Sequence, residues 1–127
     1  DPASFMKTMG EVMNKDDLFI FTTLSGMGID IQVLGEHSRS ISPPHHLNFM
    51  NPKSVTLFLS NLGFNVLEVI TPGKLDIDIM FKNKNVIKDH FWRNYLDYSS
   101  EEERQVMQTF FAENGLSSHM MITCRKQ

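Results

Sequence analysis

The chain has 127 residues, of which 41% are hydrophobic and 21% charged, and a formal net charge of −3; that is about one small globular domain with enough apolar material for a core. Net negative charge without a Lys/Arg cluster excludes a general nucleic-acid binder, and no apolar run approaches the roughly 20 residues of a membrane span, so neither nucleic acid nor membrane is an expected partner. The single Cys124 excludes an internal disulfide framework and a cysteine zinc cluster, which makes the cytoplasm the default compartment.

Asp1-Pro2 reads as a helix cap followed by proline at the first helical position. Phe5, Met9 and Val12 recur at helical spacing, so a helix is expected over 2–13. A chain that opens inside such a helix, without Met, reads as part of a longer protein. Leu18-Phe19-Ile20-Phe21 is a short apolar run ending at Thr22-Thr23, the pattern of a strand covered on both faces. From Leu24 to Met50 the periodicity weakens. Glycines and prolines punctuate a long loop, with Ile29 to Leu34 as a short helix or extended piece. Loops of this length usually serve a function, and this one holds His37, His45 and His46.

Asn51-Pro52 repeats the opening grammar, and Val55, Phe58, Leu59 and Leu62 form an apolar stripe over 52–62. Gly63 is placed as its left-handed terminator. Residues 65–70 alternate as a strand, closed by Thr71-Pro72-Gly73. Leu75, Ile77, Ile79 and Phe81 alternate with Lys74, Asp76 and Asp78, which by period alone is another strand, its two aspartates solvated. A helix is expected over 86–97. Ser99-Ser100 before Glu101, Glu102 and Glu103 starts another, with Gly115 as its stop. Residues 118–125 close the chain as a strand. Most of the nine methionines fall on apolar faces and read as adaptable core filler.

The order of elements predicts an α/β fold with helices packed on a sheet. Several motifs resemble the C-terminal half of class I S-adenosylmethionine-dependent methyltransferases, the group that includes ubiquinone-biosynthesis and other small-molecule methyltransferases. Asp1-Pro2-Ala3-Ser4-Phe5-Met6 is similar to the segment that opens the helix after the family's fourth strand. Leu18 to Thr23 is similar to its fifth strand, although Lys15-Asp16-Asp17 replaces the usual P-G-G turn. The most specific stretch is Pro43-Pro44-His45-His46-Leu47-Asn48-Phe49, running through Ser54 into the helix that ends Asn61-Leu62-Gly63-Phe64.

The resemblance implies strands five to seven of a seven-stranded, Rossmann-like sheet at 18–23, 65–71 and 118–125. The last strand should be antiparallel and inserted between the other two, with 74–114 a helical insertion. It also implies a parent protein that uses S-adenosylmethionine to methylate a small-molecule acceptor at O, N or C. The cofactor-binding half is absent from these residues: Gly26-Met27-Gly28 follows a strand but lacks a phosphate cradle and a ribose carboxylate. The fragment is therefore expected to be inactive alone and to bind no cofactor. His46, and secondarily His45, are the expected catalytic base or orienting donor, the alternative being an imidazole that packs inside and orders the loop. Thr23, Asp30, Gln32 and Trp92 are expected to line the acceptor pocket, Trp92 as part of an aromatic lid or as core. A His37/His45/His46 metal site is not expected, because no helical His-x-x-x-His is present. The competing reading is a non-catalytic interaction or oligomerisation module. Under either, strands left without neighbours are expected to draw the chain into a homo-oligomer.

Overall fold

The computed structural model describes residues 1–127 as six helices and three strands. Helix α1 (Pro2–Val12) starts at Asp1, whose carboxylate accepts from Ala3 N at 3.0 Å. Its inward face is one residue out of step with the expected Phe5–Met9–Val12 stripe. Met6 is buried and Met13 packs on the core, while Phe5 and Val12 are exposed. The stripe that faces the sheet is Met6, Met9, Gly10 and Met13. A glycine belongs in it because a Cβ at Gly10 would already touch the Phe64 ring, at 3.5 Å.

Strand β1 (Leu18–Leu24) is followed by α2 (Ile29–Leu34), a 3₁₀ turn at Gly35–His37 and the loop to Met50. Helix α3 (Pro52–Ser60) opens with a capping box. The Asn51 side chain accepts from Ser54 N, and the Ser54 hydroxyl receives Asn51 N. Such a cap contributes about 1 kcal/mol. Gly63 ends the turn after α3 at φ +84°, the left-handed conformation that only glycine adopts cheaply.

Strand β2 (Phe64–Ile70) leads into α4 (Asp76–Lys82), α5 (His90–Tyr98) and α6 (Glu101–Glu113), and β3 (His119–Lys126) completes the chain. The stretch expected as a strand at 75–81 is therefore a helix. Seven residues fit both periods, and tertiary packing decides between them. Ile77 and Met80, three apart, are buried against α2 and α6, whereas a strand would have turned Met80 onto the polar face with Asp76 and Asp78. Helix α5 begins later than expected, where the Asp89 carboxylate accepts from Trp92 N at 3.0 Å. Between 74 and 114 every regular element is helical.

The sheet order is β1-β3-β2, with β3 antiparallel to both neighbours, so β1 and β2 run parallel to each other. Met120, Ile122 and Cys124 of β3 face Val55, Leu59 and Phe64, with Met6 from α1, as one core. Leu34, Ile77, Met80, Ile87, Leu96 and Phe111 form a second core among the helices. Of the nine methionines only Met27 is largely exposed. No helix is long and apolar enough to cross a membrane.

The two outer strands protect their edges differently. At Leu67, β2 carries a bulge, with Glu68 just beyond it, and both features discourage pairing with another chain. Leu18-Phe19-Ile20-Phe21-Thr22-Thr23-Leu24 has neither charge nor proline, and only the following Ser25 and Gly26 find a partner on that side, at Met50.

Candidate functional site

Three segments meet at the carboxyl ends of β1 and β2, where open α/β sheets bind ligands. They are 25–30 after β1, 71–76 after β2, and 116–118 leading into β3. Backbone bonds join the first to the third: Ser25 N to Ser118 O and Ile29 N to Leu116 O, both 2.8 Å. Two glycines make the junction possible. A Cβ at Gly28 would lie 2.3 Å from Ser118 Cα, and one at Gly73 would lie 1.7 Å from the Ser117 hydroxyl. Gly28 thus serves a close backbone approach.

At the centre of the junction lies a pair of carboxylates that water scarcely reaches: Asp30 is 0% and Asp76 2% exposed. Their surroundings are opposite. Asp76 accepts four hydrogen bonds, from the Ser117 hydroxyl (2.6 Å), Gln108 Nε2 (2.7 Å), Ser118 N (2.7 Å) and the Ser118 hydroxyl (2.9 Å). Burial would raise its pKa, but these donors outweigh burial and hold it below the usual carboxylate range. Asp30 has no well-formed hydrogen bond on either oxygen. Burial, and then the charge of Asp76, push it up to about 6, and the nearby Ser118 and Ile31 donors offset them only in part. When protonated it can donate to Asp76, which favours the neutral form further. One site thus holds a fixed anion beside an acid that titrates close to neutrality.

Gln108 of α6 completes the network. Besides Asp76, its Nε2 donates to Gly73 O at 2.9 Å, and its Oε1 accepts from Ile77 N at 2.9 Å. Above the junction opens a cleft of about 330 Å³, lined by Leu24, Lys74, Leu75, Asp76, Ile79 and His119 among others. Its floor is the saturated Asp76. The exposed Lys74 and His119 are free to touch a ligand.

The residues expected to form the site do not converge. Asp30, expected in an acceptor pocket, is sealed in the junction; the mismatch arises because α2 turns it inward, towards Ser118 and Asp76. Asp76, expected to be solvated beside Asp78, is buried because it starts a helix rather than alternating along a strand. Gln32 and Trp92 do share a cleft, of about 660 Å³, between α2 and the start of α5. Gln32 also donates to Gly26 O at 2.5 Å. Trp92 meets Phe111 edge-on at 5.9 Å and packs on the second core, so it is a wall there and no lid. Thr23 lines a separate apolar cleft of about 210 Å³ with Pro2, Phe5 and Met50.

His45 and His46 stand exposed on the turn after Pro44, held only through backbone bonds to Ser42 O. Neither packs inside, and neither lines the cleft at the strand ends. One end of their loop does reach it, since Ser40 lines the cleft, while at the other end Met50 pairs with Ser25 beside β1. No three His, Cys, Asp or Glu side chains cluster in a way that would hold a metal ion.

Asp76, Gln108, Ser117, Ser118 and His119 went unpredicted. One signal was available. An aspartate three residues after a Pro-Gly turn, at the head of an apolar run, is the usual position for a first-turn carboxylate. Ser117-Ser118 and Gln108 carry no local signal, because their partner lies 32 or more residues away. No protein-family model matches the chain, and no curated protein is similar to it at a significant level.

Proposed function

We propose that the chain forms the acceptor side of a class I, Rossmann-like methyltransferase that transfers the methyl group of S-adenosylmethionine to a small molecule. The observation that carries the reading is the strand order, with an antiparallel final strand inserted between two parallel ones. The resemblance implies that order for strands five, seven and six. The contrast between the edges supports it: β2 is blunted as a true edge strand is, while β1 has the uncharged sequence of a strand with neighbours on both sides. An unpaired β1 edge is also the proposed route by which this chain associates with itself.

Within this reading the cleft over Asp76 receives part of the acceptor. Methyl transfer is accelerated chiefly by holding acceptor and methyl donor in line. Leu24, Leu75 and Ile79 give the cleft apolar walls, and Lys74 and His119 orient a polar group. His119 is the imidazole already at the strand ends. His46 and His45, on the adjoining loop, are the other base candidates.

A polypeptide extended at its amino end tests the proposal. The sequence encoded upstream should contain an apolar strand, a glycine-rich turn and an acidic residue after the next strand. The longer protein should bind S-adenosylmethionine by calorimetry, whereas residues 1–127 should not. An upstream sequence without those features, or micromolar binding by residues 1–127 alone, refutes the division of labour. In the longer protein, His119→Gln and His46→Gln are compared in a methyl-transfer assay. A loss of 10²-fold or more, roughly, identifies the base, and survival within about threefold removes that residue from the role.

A further inference from the structure

A further opening on the surface lies away from the sheet, between α5 and α6. It is a trough of about 680 Å³. Tyr95 and Tyr98 form one wall and Val106, Met107 and Phe110 the other, at helical spacings that place each set on one face of its helix. Tyr98 is 88%, Val106 71% and Phe110 51% exposed. Single exposed apolar side chains are ordinary, but several converging on one trough mark an interaction surface, and tyrosine and phenylalanine are the residues that interface centres favour.

The rim is acidic. Glu101, Glu102 and Glu103 occupy the first turn of α6. Glu103 is used within the fold, accepting Ser100 N at 2.7 Å. Glu101 and Glu102 form no ion pair. Arg104 donates to Ser99 O at 2.6 Å and its guanidinium lies 4.2 Å from the centre of the Phe81 ring, and although its charge reaches Glu102 the two form no ion pair. At the floor of the trough the buried Ser99 hydroxyl has no hydrogen-bond partner.

We propose that the α5–α6 trough is a docking site for a basic amphipathic helix of a partner protein. The trough is bounded by side-chain ridges of two helices and offers no unpaired backbone edge, so a helix fits it and an added strand does not. Carboxylates at one end select lysine or arginine on the incoming helix, and they repel an anionic membrane surface. The proposal is independent of methyl transfer, because it rests on a different face of the molecule.

The test uses a fluorescein-labelled peptide of about four turns, roughly 14 residues, with leucine at helical i, i+3, i+4 and i+7 positions and lysine elsewhere. Its glutamate counterpart is the comparison. By fluorescence anisotropy the lysine peptide should bind the chain at least about tenfold more tightly at low salt, an advantage that shrinks as salt screens the rim. Amide shifts on binding should be confined to α5 and α6. Val106→Asp should weaken binding by about tenfold or more and Glu102→Lys by several-fold; both sites are exposed, and circular dichroism verifies that each variant is folded. Equal affinity for the two peptides, undiminished binding by a folded Val106→Asp variant, or shifts outside α5 and α6 would each overturn the proposal. So would saturation of the trough by benzyltrimethylammonium with no peptide binding, which would make it a small-cation pocket.

Discussion

Replacing Asp30 by asparagine keeps the shape of the side chain and removes a carboxyl that no well-formed hydrogen bond serves. In the folded chain that carboxyl titrates at about 6, against 3.8 for a free one. An acid whose folded pKa is the higher binds its proton more tightly when folded, so its effect on stability is nil below the unfolded value, near pH 4. Stability then falls as pH rises from about 4 to about 6, and stays lower by a constant amount above that. At roughly 1.36 kcal/mol per pH unit, the displacement from 3.8 to about 6 is worth up to about 3 kcal/mol at pH 7.5. The Asp30→Asn variant carries no such loss, and its amide can still donate to Asp76. Urea denaturation of both chains at half-unit intervals from pH 4 to 8 measures this directly. The stability difference, variant minus wild type, should grow across pH 4–6 and level off in favour of the variant. Titrating groups away from the junction cancel in that difference, and Asp76, whose pKa is lowered, stays ionised across this range. A difference that is flat with pH, or a variant less stable than wild type at pH 7.5, would refute the account of Asp30 as a desolvated acid held beside an anion.

Asp76→Ala should act in the opposite sense, since it strands four donors in a dry junction. A loss of roughly 3–5 kcal/mol by urea denaturation is expected at neutral pH. Because its folded pKa is depressed, the charge-dependent part of the stabilisation from Asp76 is present above the unfolded value near pH 4 and is lost as acid protonates it below that, so the gap between wild type and the Asp76→Ala variant should narrow in acid. Gly28→Ala puts a methyl 2.3 Å from Ser118 Cα, a backbone atom that cannot swing away; the variant should lose about 2 kcal/mol or more in thermal denaturation, while Gly10→Ala, with only the Phe64 ring at 3.5 Å, should stay within about 1 kcal/mol. Association through β1 should appear in light scattering at high concentration, and Ile20→Lys, at a 58% exposed position on the strand, should return the chain to monomer. A clean wild-type monomer would sink that prediction.

The fold was legible wherever one periodicity stood alone. Asn51-Pro52 with Val55, Phe58, Leu59 and Leu62 specifies a capped helix without ambiguity, and so does Ser100 with Glu103. Legibility ended where two periods fitted. In Leu75–Phe81 the deciding fact was the position of α2 and α6, and in α1 it was which of two adjacent stripes met Phe64. The site was harder to read still. His45 and His46 drew attention because adjacent histidines behind prolines are conspicuous in a sequence, yet conspicuousness says nothing about depth. Asp30 and Asp76 lie 46 positions apart, and only the topology makes them neighbours.

The junction also separates what the fold needs from what it tolerates. Ser118 N, Ile77 N and the Gln108 amide are donors that folding buries, and buried donors require acceptors. Asp76, the Gln108 carbonyl and Gly73 O meet that need between them. Asp30 meets none of it, so its carboxyl is a charge for which the surrounding backbone has no use. A residue that lowers stability without serving a structural partner is a place where function can be looked for. The Asp30→Asn substitution divides the cases. If the amino-extended protein carrying it gains stability at neutral pH and loses methyl transfer, the carboxyl is held there for the chemistry above it. If that protein gains stability and keeps full activity, the proton shared with Asp76 has no part in the proposed catalysis.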